Sequence, residues 1–112
     1  MNRIWDKRMD INLMKLIIDS SYDGLTYTDE NGTIIFNNKA YTDITGIHEE
    51  DLIGESIYEL GPQGFPVSNM VLKVFETRET LSEVIQYKHS NKEVLVTIVP
   101  VYDEGGIFSG IV

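Results

Sequence analysis

The chain of 112 residues contains no cysteine. Disulfide bonds, thiolate nucleophiles and thiolate metal ligands are therefore excluded. Basic residues are also scarce, since nine lysines and arginines stand against 18 aspartates and glutamates and give a net charge of −9. Nucleic acids and anionic membranes both attract clustered lysine and arginine side chains. The composition therefore argues against direct contact with nucleic acid or with a membrane surface.

Long hydrophobic runs are absent as well. No apolar stretch reaches the ~18 residues that a membrane-spanning helix needs, and the first ten residues, MNRIWDKRMD, lack the apolar centre of a signal peptide. Hydrophobic residues nevertheless make up 42% of the chain, which is enough for a packed core. We therefore expect one compact, soluble and cytoplasmic domain.

The sequence also lacks a pattern typical of a catalytic or metal site. It has two histidines, His48 and His89, and neither has an evident nucleophile beside it. Glu49, Glu50 and Asp51 follow His48, but neighbouring residues on a helix point in different directions and do not converge on one ion. Carboxylates in a first helical turn complement the helix dipole, which is a purely structural role. We expect neither enzyme activity nor a metal site.

The residues that are present begin with a strand–turn–strand–helix pattern. Residues 25–28 and 33–36 are rich in β-branched, aromatic and apolar side chains, as strands prefer. Asn31-Gly32 between them is a strong hairpin signal, because both residues tolerate the positive φ angles of a tight turn. Asn38 can cap the helix that follows, and Gly46 occupies the position of a left-handed helix end.

The second half predicts a helix and three strands. Val71, Leu72, Val74 and Phe75 are the apolar positions of the helix, which follows an irregular stretch rich in glycine and proline. The predicted strands are Leu81–Tyr87, Val94–Tyr102 and Ile107–Val112.

The order of these motifs resembles that of a PAS domain. The hairpin turn Asp29–Gly32, the N-x-A-aromatic motif of Asn38–Tyr41, the Thr45-Gly46 pair and the Leu52–Gly54 run follow one another as in that family. The last three strands fit the end of the domain. The resemblance spans roughly Asp19–Val112, and it is similar in particular to PAS domains at the N-terminus of sigma-54-dependent transcriptional activators.

This resemblance implies an α+β fold with a five-stranded antiparallel sheet and helices on one face enclosing a small pocket. Residues 1–19 would form an N-terminal amphipathic helix and cap, and residues 20–112 a PAS domain that is truncated in its last strand. The chain would then be part of a longer bacterial signalling protein. Its implied function is sensory: a small molecule in the pocket favours one state of the domain, and an output domain outside this sequence reads that state.

The resemblance also implies which side chains line the pocket. Threonine hydroxyls there could serve a ligand or could bond to each other and to the backbone, and both interpretations stay open. The polar candidates are Thr26, Thr28, Tyr41 and Gln86. The apolar candidates are Ile34, Phe36, Ile44, Phe75, Val94, Val96 and Ile98.

A second function is compatible with the same sequence. Met9 to Ser20 reads as an amphipathic helix with one apolar stripe, which either covers the sheet or forms a homodimer, as the resemblance implies. The dimer candidates are Trp5, Met9, Leu13 and Leu16. If side chains fill the core, the chain is a ligand-free dimerisation or protein-interaction module.

The sequence identifies no cofactor. Relatives with flavin photochemistry need a cysteine, which this chain lacks. Haem-binding relatives place a histidine on the helix that here includes Val71 to Phe75, and no histidine stands there. The resemblance therefore argues against a photoactive flavin adduct and against haem, and it leaves the small-molecule ligand unnamed.

Overall fold

The computed structural model describes residues 11–60, 67–87 and 91–112. Five helices and six strands follow one another along these residues. The helices are α1 (Ile11–Asp19), α2 (Lys39–Thr45), α3 (Glu49–Leu52), α4 (Ile57–Leu60) and α5 (Ser68–Thr77). The strands are β1 (Thr26–Asp29), β2 (Ile34–Asn37), β3 (Leu81–Tyr87), β4 (Lys92–Ile98), β5 (Pro100–Tyr102) and β6 (Phe108–Ile111).

The described strands form two antiparallel sheets, where the sequence predicted one sheet of five strands. One sheet has the order β2-β1-β6-β5, and β3 pairs with β4 in a separate hairpin. The predicted strand Val94–Tyr102 is divided at Val99-Pro100, because proline has no N–H to donate to a ladder and is tolerated as the first residue of a strand. Val99 and Val112 exchange two backbone hydrogen bonds of 2.9 and 3.0 Å at this division.

A β-bulge in the first hairpin decides which side chains face inward. Tyr27 lies opposite Phe36 and Thr28 opposite Ile34, so Ile35 is an extra residue in β2. Directly opposed residues share a face, and an extra residue shifts the alternation beyond it. Phe36 therefore shares the face of Tyr27 and not that of Ile34. The prediction that Phe36 points inward with Ile34 is wrong, because it assumed a strand without a bulge.

The predicted glycines end the hairpin turn and the helix. Gly32 has a φ of 86° in the turn, and Gly46 ends α2 with a φ of 77° while its N–H donates to the Thr42 carbonyl at 2.8 Å. Both angles lie in the left-handed region, which glycine adopts without a steric penalty.

The predicted cap residue, Asn38, is confirmed and joins three segments. Its Oδ1 accepts from the N–H of Tyr41 at 3.0 Å and from the N–H of Leu25 at 2.8 Å. Its Nδ2 donates to the carbonyls of Ile18 at 2.9 Å and Asp23 at 3.0 Å. One buried side chain therefore fixes the start of α2, the approach to β1 and the end of α1.

Two apolar clusters form the core. A small cluster lies where β2 meets α2 and α3. The larger cluster lies where α5 packs on the strands, and its size reflects how many elements contribute to it. The small cluster consists of Ile34, Tyr41 and Leu52. The larger cluster consists of Ile57, Val67, Met70, Val71, Val74, Tyr87, Ile98 and Ile111.

Candidate functional site

A partly enclosed recess of about 550 Å³ lies between the four-stranded sheet, the β3–β4 hairpin and helices α2 and α5. Small-molecule sites in proteins have volumes of roughly 300–1,000 Å³, so the recess is large enough for a metabolite. It brings together eight of the predicted lining residues, namely Thr26, Thr28, Ile34, Tyr41, Ile44, Val94, Val96 and Ile98.

Three predicted lining residues lie elsewhere. The β-bulge turns Phe36 to the other face of the sheet. Phe75 packs its ring edge-on against Phe108, with ring centroids 5.6 Å apart. Gln86 is exposed on β3, opposite Glu93 of β4.

The inner face of β3 carries Ile85 and Tyr87, which reverses the predicted parity. Val84 is 65% exposed and Gln86 is exposed, whereas Tyr87 is only 4% exposed. Successive strand residues point to opposite faces. Val84 and Ile85 are adjacent and both apolar, so the sequence does not show which of the two faces of β3 points inward. The signal that sequence reasoning missed is the aromatic Tyr87 at the end of the strand.

The phenol groups of Tyr41 and Tyr87 meet in this recess. Tyr41 comes from α2 and is 7% exposed, and Tyr87 comes from β3. Burial raises the pKa of Tyr41 far above its ordinary value of 10.0, and the neighbouring Tyr87 phenol raises that pKa further. Burial also raises the pKa of Tyr87, although hydrogen bonding with Tyr41 offsets part of that shift. Both phenols are neutral at physiological pH, and each can donate and accept a hydrogen bond.

The threonine hydroxyls in the wall differ in their partners. Thr26 Oγ1 donates to the Phe36 carbonyl at 3.0 Å, and Thr45 Oγ1 donates to the Tyr41 carbonyl at 2.7 Å. Thr28 is only 4% exposed as a residue and lines the recess, and its hydroxyl has no hydrogen-bond partner within the described part of the chain. The Thr26 hydroxyl is therefore bonded to the backbone, whereas the Thr28 hydroxyl can bond to a ligand.

Charged side chains are nearly absent from the described wall. Asp23 is the one acidic residue among the lining residues that the structure describes, it is exposed, and no lysine, arginine or histidine accompanies it there. The interior of the recess therefore offers apolar surface and hydroxyl groups to a ligand.

One wall of the recess is the edge of a strand. Six consecutive residues of the chain, Val94 to Val99, contribute to it. Side chains of a strand alternate between faces, so a continuous run must contribute backbone as well as the side chains of Val94, Val96 and Ile98. In the described residues β4 pairs with β3 alone, so the backbone groups of its other edge have no strand partner there.

Asn37 is a buried amide at the end of β2. It is 2% exposed, and neither its side-chain oxygen nor its side-chain nitrogen has a hydrogen-bond partner in the described structure. Asn37 lies in register with Thr26 and therefore shares the inner face of the sheet, although it is not itself a lining residue. Such a group costs about 1–3 kcal/mol when it is left unpaired.

Helix α1 exposes the apolar stripe that the sequence predicted. None of its residues is fully buried, and Leu16 is 64% exposed. Leu13, Ile11 and Ile17 are exposed as well. Trp5 and Met9, the other two predicted dimer residues, lie outside the described residues.

The family model described as the PAS fold matches residues 12–112, which is nearly the whole chain. The chain belongs to the PAS family. PAS domains are typical of sensory signalling proteins and are generally not catalytic. The predicted fold family and the α+β class are thereby confirmed, with two antiparallel sheets in place of one.

Solved PAS structures share the fold at low sequence identity. The PAS domain of BvgS from Bordetella pertussis is 21% identical, with a TM-score of 0.65 over 90% of this chain and 80% of that chain. The PAS domain of the histidine kinase ThkA is 20% identical, with a TM-score of 0.62 over 77% and 88%. VqmA of Vibrio cholerae, a LuxR-type receptor, is 18% identical, with a TM-score of 0.64 over 92% of this chain and half of that chain. No curated protein matches the sequence.

Residues 11–60, 67–87 and 91–112 include no helix with the length and apolar character to cross a membrane. The same residues include no group of three or more histidine, aspartate or glutamate side chains placed to hold a metal ion.

Proposed function

We propose that this PAS domain is a cytoplasmic sensor that binds a small molecule in the recess and relays its presence to an output domain. This proposal rests on one observation: the recess wall combines residues from two separate sheets. Tyr41 lies on α2, whereas Tyr87 lies on the β3–β4 hairpin, which belongs to a different sheet from β1 and β2. A ligand that contacts both tyrosines favours one position of the β3–β4 hairpin relative to the sheet that contains β1 and β2. It shifts the balance between two such arrangements only by its difference in affinity for them.

The structural neighbours support a regulatory output. ThkA is a histidine kinase, and VqmA is described as a dimer that changes conformation in the absence of its target DNA. One VqmA structure is described as bound to DPO, so a ligand accompanies this fold in a neighbour. Together with the resemblance to PAS domains of sigma-54-dependent activators, these neighbours favour a transcriptional regulator as the full-length protein. The domain itself would have no catalytic role.

The experiment compares the mass of the purified domain under native and denaturing conditions. We expect a native species that is heavier by one small molecule. Ile98→Trp, at a buried position of the wall, should abolish the extra mass while the circular dichroism spectrum is retained, and Val96→Trp serves if that variant does not fold. Val84→Trp, on the outer face of β3, is the matched control and should retain the extra mass. Equal ligand content in a folded Ile98→Trp variant would contradict the proposed site.

A second candidate function is dimerisation through α1, and the exposed apolar stripe of that helix favours it. Contiguous exposed apolar patches mark interaction surfaces in many soluble proteins. The two functions are compatible, because the stripe faces away from the core and the recess lies within it. A PAS domain that dimerises without a ligand would show a filled recess and a mass that depends on concentration.

A further inference from the structure

The polar groups of the recess indicate which ligand chemistry it accepts. Resting on the proposed sensory function, we propose that the ligand is an uncharged molecule with a carbonyl oxygen, and that the Tyr41 and Tyr87 phenols bind this oxygen. Three properties of the described wall support this ligand class: it has no cation, it has paired hydroxyl donors, and the rest of it is apolar.

The described part of the wall offers no cation to an anionic ligand. A buried carboxylate or phosphate is costly unless a positive charge or several donors compensate its lost hydration. The described lining residues include no lysine, arginine or histidine, and their one charged member, Asp23, is negative and would repel an anion. Asp23 is exposed to solvent, so it also gives little compensation to a cation held in the interior. A neutral ligand avoids both costs.

The paired hydroxyls point to an oxygen acceptor. Tyr41 and Tyr87 approach each other from α2 and β3, and burial keeps both protonated. A carbonyl oxygen has two lone pairs and can accept from two O–H groups at once. It can therefore take the place of the contact that the phenols make with each other. Thr28, a lining residue on β1, adds a third hydroxyl to the recess.

The remainder of the wall accommodates an apolar body. Ile44, Val94, Val96 and Ile98 contribute branched aliphatic side chains, and removal of apolar surface from water stabilises a bound molecule. A ligand that joins a carbonyl to a hydrocarbon or aromatic body satisfies both parts of the wall. Ketones, amides and lactams with such a body form the proposed class.

The test uses four probes that share one benzene ring: acetophenone, toluene, benzoate and benzylamine. Each is titrated at pH 7 into the ¹⁵N-labelled domain, and its dissociation constant is obtained from the amide chemical shifts. We expect acetophenone to bind most tightly and toluene more weakly. Benzoate and benzylamine should bind at least tenfold more weakly than acetophenone, because each would have to enter the recess as an unpaired charge.

Tyr41→Phe and Tyr87→Phe then remove one oxygen each. We expect either variant to bind acetophenone roughly three- to tenfold more weakly, as the loss of one hydrogen bond predicts, while the affinity for toluene changes less than twofold. Tyr102→Phe, at an exposed tyrosine outside the recess, is the matched control. The amide spectrum of each variant reports whether it is folded.

The outcomes separate the two proposals. If toluene binds to wild type and the tyrosine variants leave acetophenone unaffected, the recess is a small-molecule site but the phenols do not bind the carbonyl. Benzoate binding as tight as that of acetophenone would overturn the uncharged class. If no probe binds and the native mass shows no extra molecule, the sensory function fails together with the ligand class.

Discussion

The side-chain amide of Asn38 donates a hydrogen bond of 2.9 Å to the carbonyl oxygen of Ile18. Ile18 lies in α1, a helix with no fully buried residue, so this bond holds α1 to a domain on which the helix packs little surface. The same side chain caps α2 and orders the approach to β1. The position of α1 is therefore coupled to the helix that presents Tyr41 to the recess.

Replacement of Asn38 by alanine tests this coupling. The variant loses the cap and leaves buried backbone groups without a partner, so we expect the free energy of unfolding to fall by about 2–4 kcal/mol. Urea unfolding measures the change, and hydrogen exchange should show faster exchange of the α1 amides. Asn12→Ala, at an exposed position of α1, should change stability by less than ~0.5 kcal/mol. If the free energy of unfolding of Asn38→Ala falls by less than ~1 kcal/mol, the Asn38 side chain is not needed to hold α1 on the domain.

Asn37→Leu is expected to stabilise the ligand-free domain. Both polar atoms of the buried Asn37 side chain are unpaired, and an apolar side chain of similar size removes this cost, so stability should rise by about 1–2 kcal/mol. Asn12→Leu at an exposed site controls for the general effect of leucine. A fall in stability would instead indicate that an ordered water bonds to the amide, since buried waters occupy such sites.

Alkaline pH should destabilise the domain through Tyr41. The pKa of Tyr41 in the folded state is raised above its ordinary value of 10.0. Below pH ~10 the phenol is neutral in both states, whereas above it the unfolded chain loses a proton that the folded domain retains. The free energy of unfolding therefore decreases as pH rises, by up to about 1.4 kcal/mol per pH unit for one tyrosine.

Urea unfolding between pH 8 and 11.5 measures this dependence. Tyr41→Phe should flatten the decrease above pH ~10, because its side chain has no proton to lose. Tyr22→Phe, at a ring that is 97% exposed, is the matched control. Identical slopes in wild type and Tyr41→Phe would contradict the burial of the phenol.

Leu16→Asp tests dimerisation through α1. If the exposed stripe pairs two copies, a buried carboxylate on each would be unpaired, and the dimer should dissociate at all accessible concentrations. Sedimentation equilibrium over a hundredfold range of concentration measures the mass. Lys15→Asp, at a polar position of the same helix, should retain the wild-type behaviour. A wild-type domain that remains monomeric throughout would exclude this interface.

Local signals in the sequence predicted the first half of the domain well. Gly32, Asn38 and Gly46 specify their turn and helix ends through their own backbone preferences and hydrogen bonds, which need no knowledge of the rest of the chain. The β-bulge at Ile35 was not predictable from alternation, because β2 is apolar at three consecutive positions, Ile34 to Phe36.

Most of the predicted lining residues meet in the recess, and the exceptions lie where the direction of a side chain depends on tertiary packing. Regular alternation puts Val94 and Ile98 on one face of their strand, the resemblance implied that this face points inward, and both residues line the recess. The direction of Phe36 depends on the β-bulge in β2. The direction of Gln86 depends on which face of β3 packs inward, and only tertiary packing decides that. Tyr87 was missed for the same reason, although it forms half of the phenol pair on which the ligand chemistry depends.

The division at Val99-Pro100 gives the domain a pivot. In the described residues the two sheets share one backbone pair, Val99 with Val112. A small change in the angle between the β3–β4 hairpin and the four-stranded sheet would therefore leave the hydrogen bonds within each ladder intact. Tyr87 lies on the hairpin, so a molecule bound against it would act on this angle. Val112 lies at the junction of the hairpin and the sheet, where it would be the first residue to feel such a change.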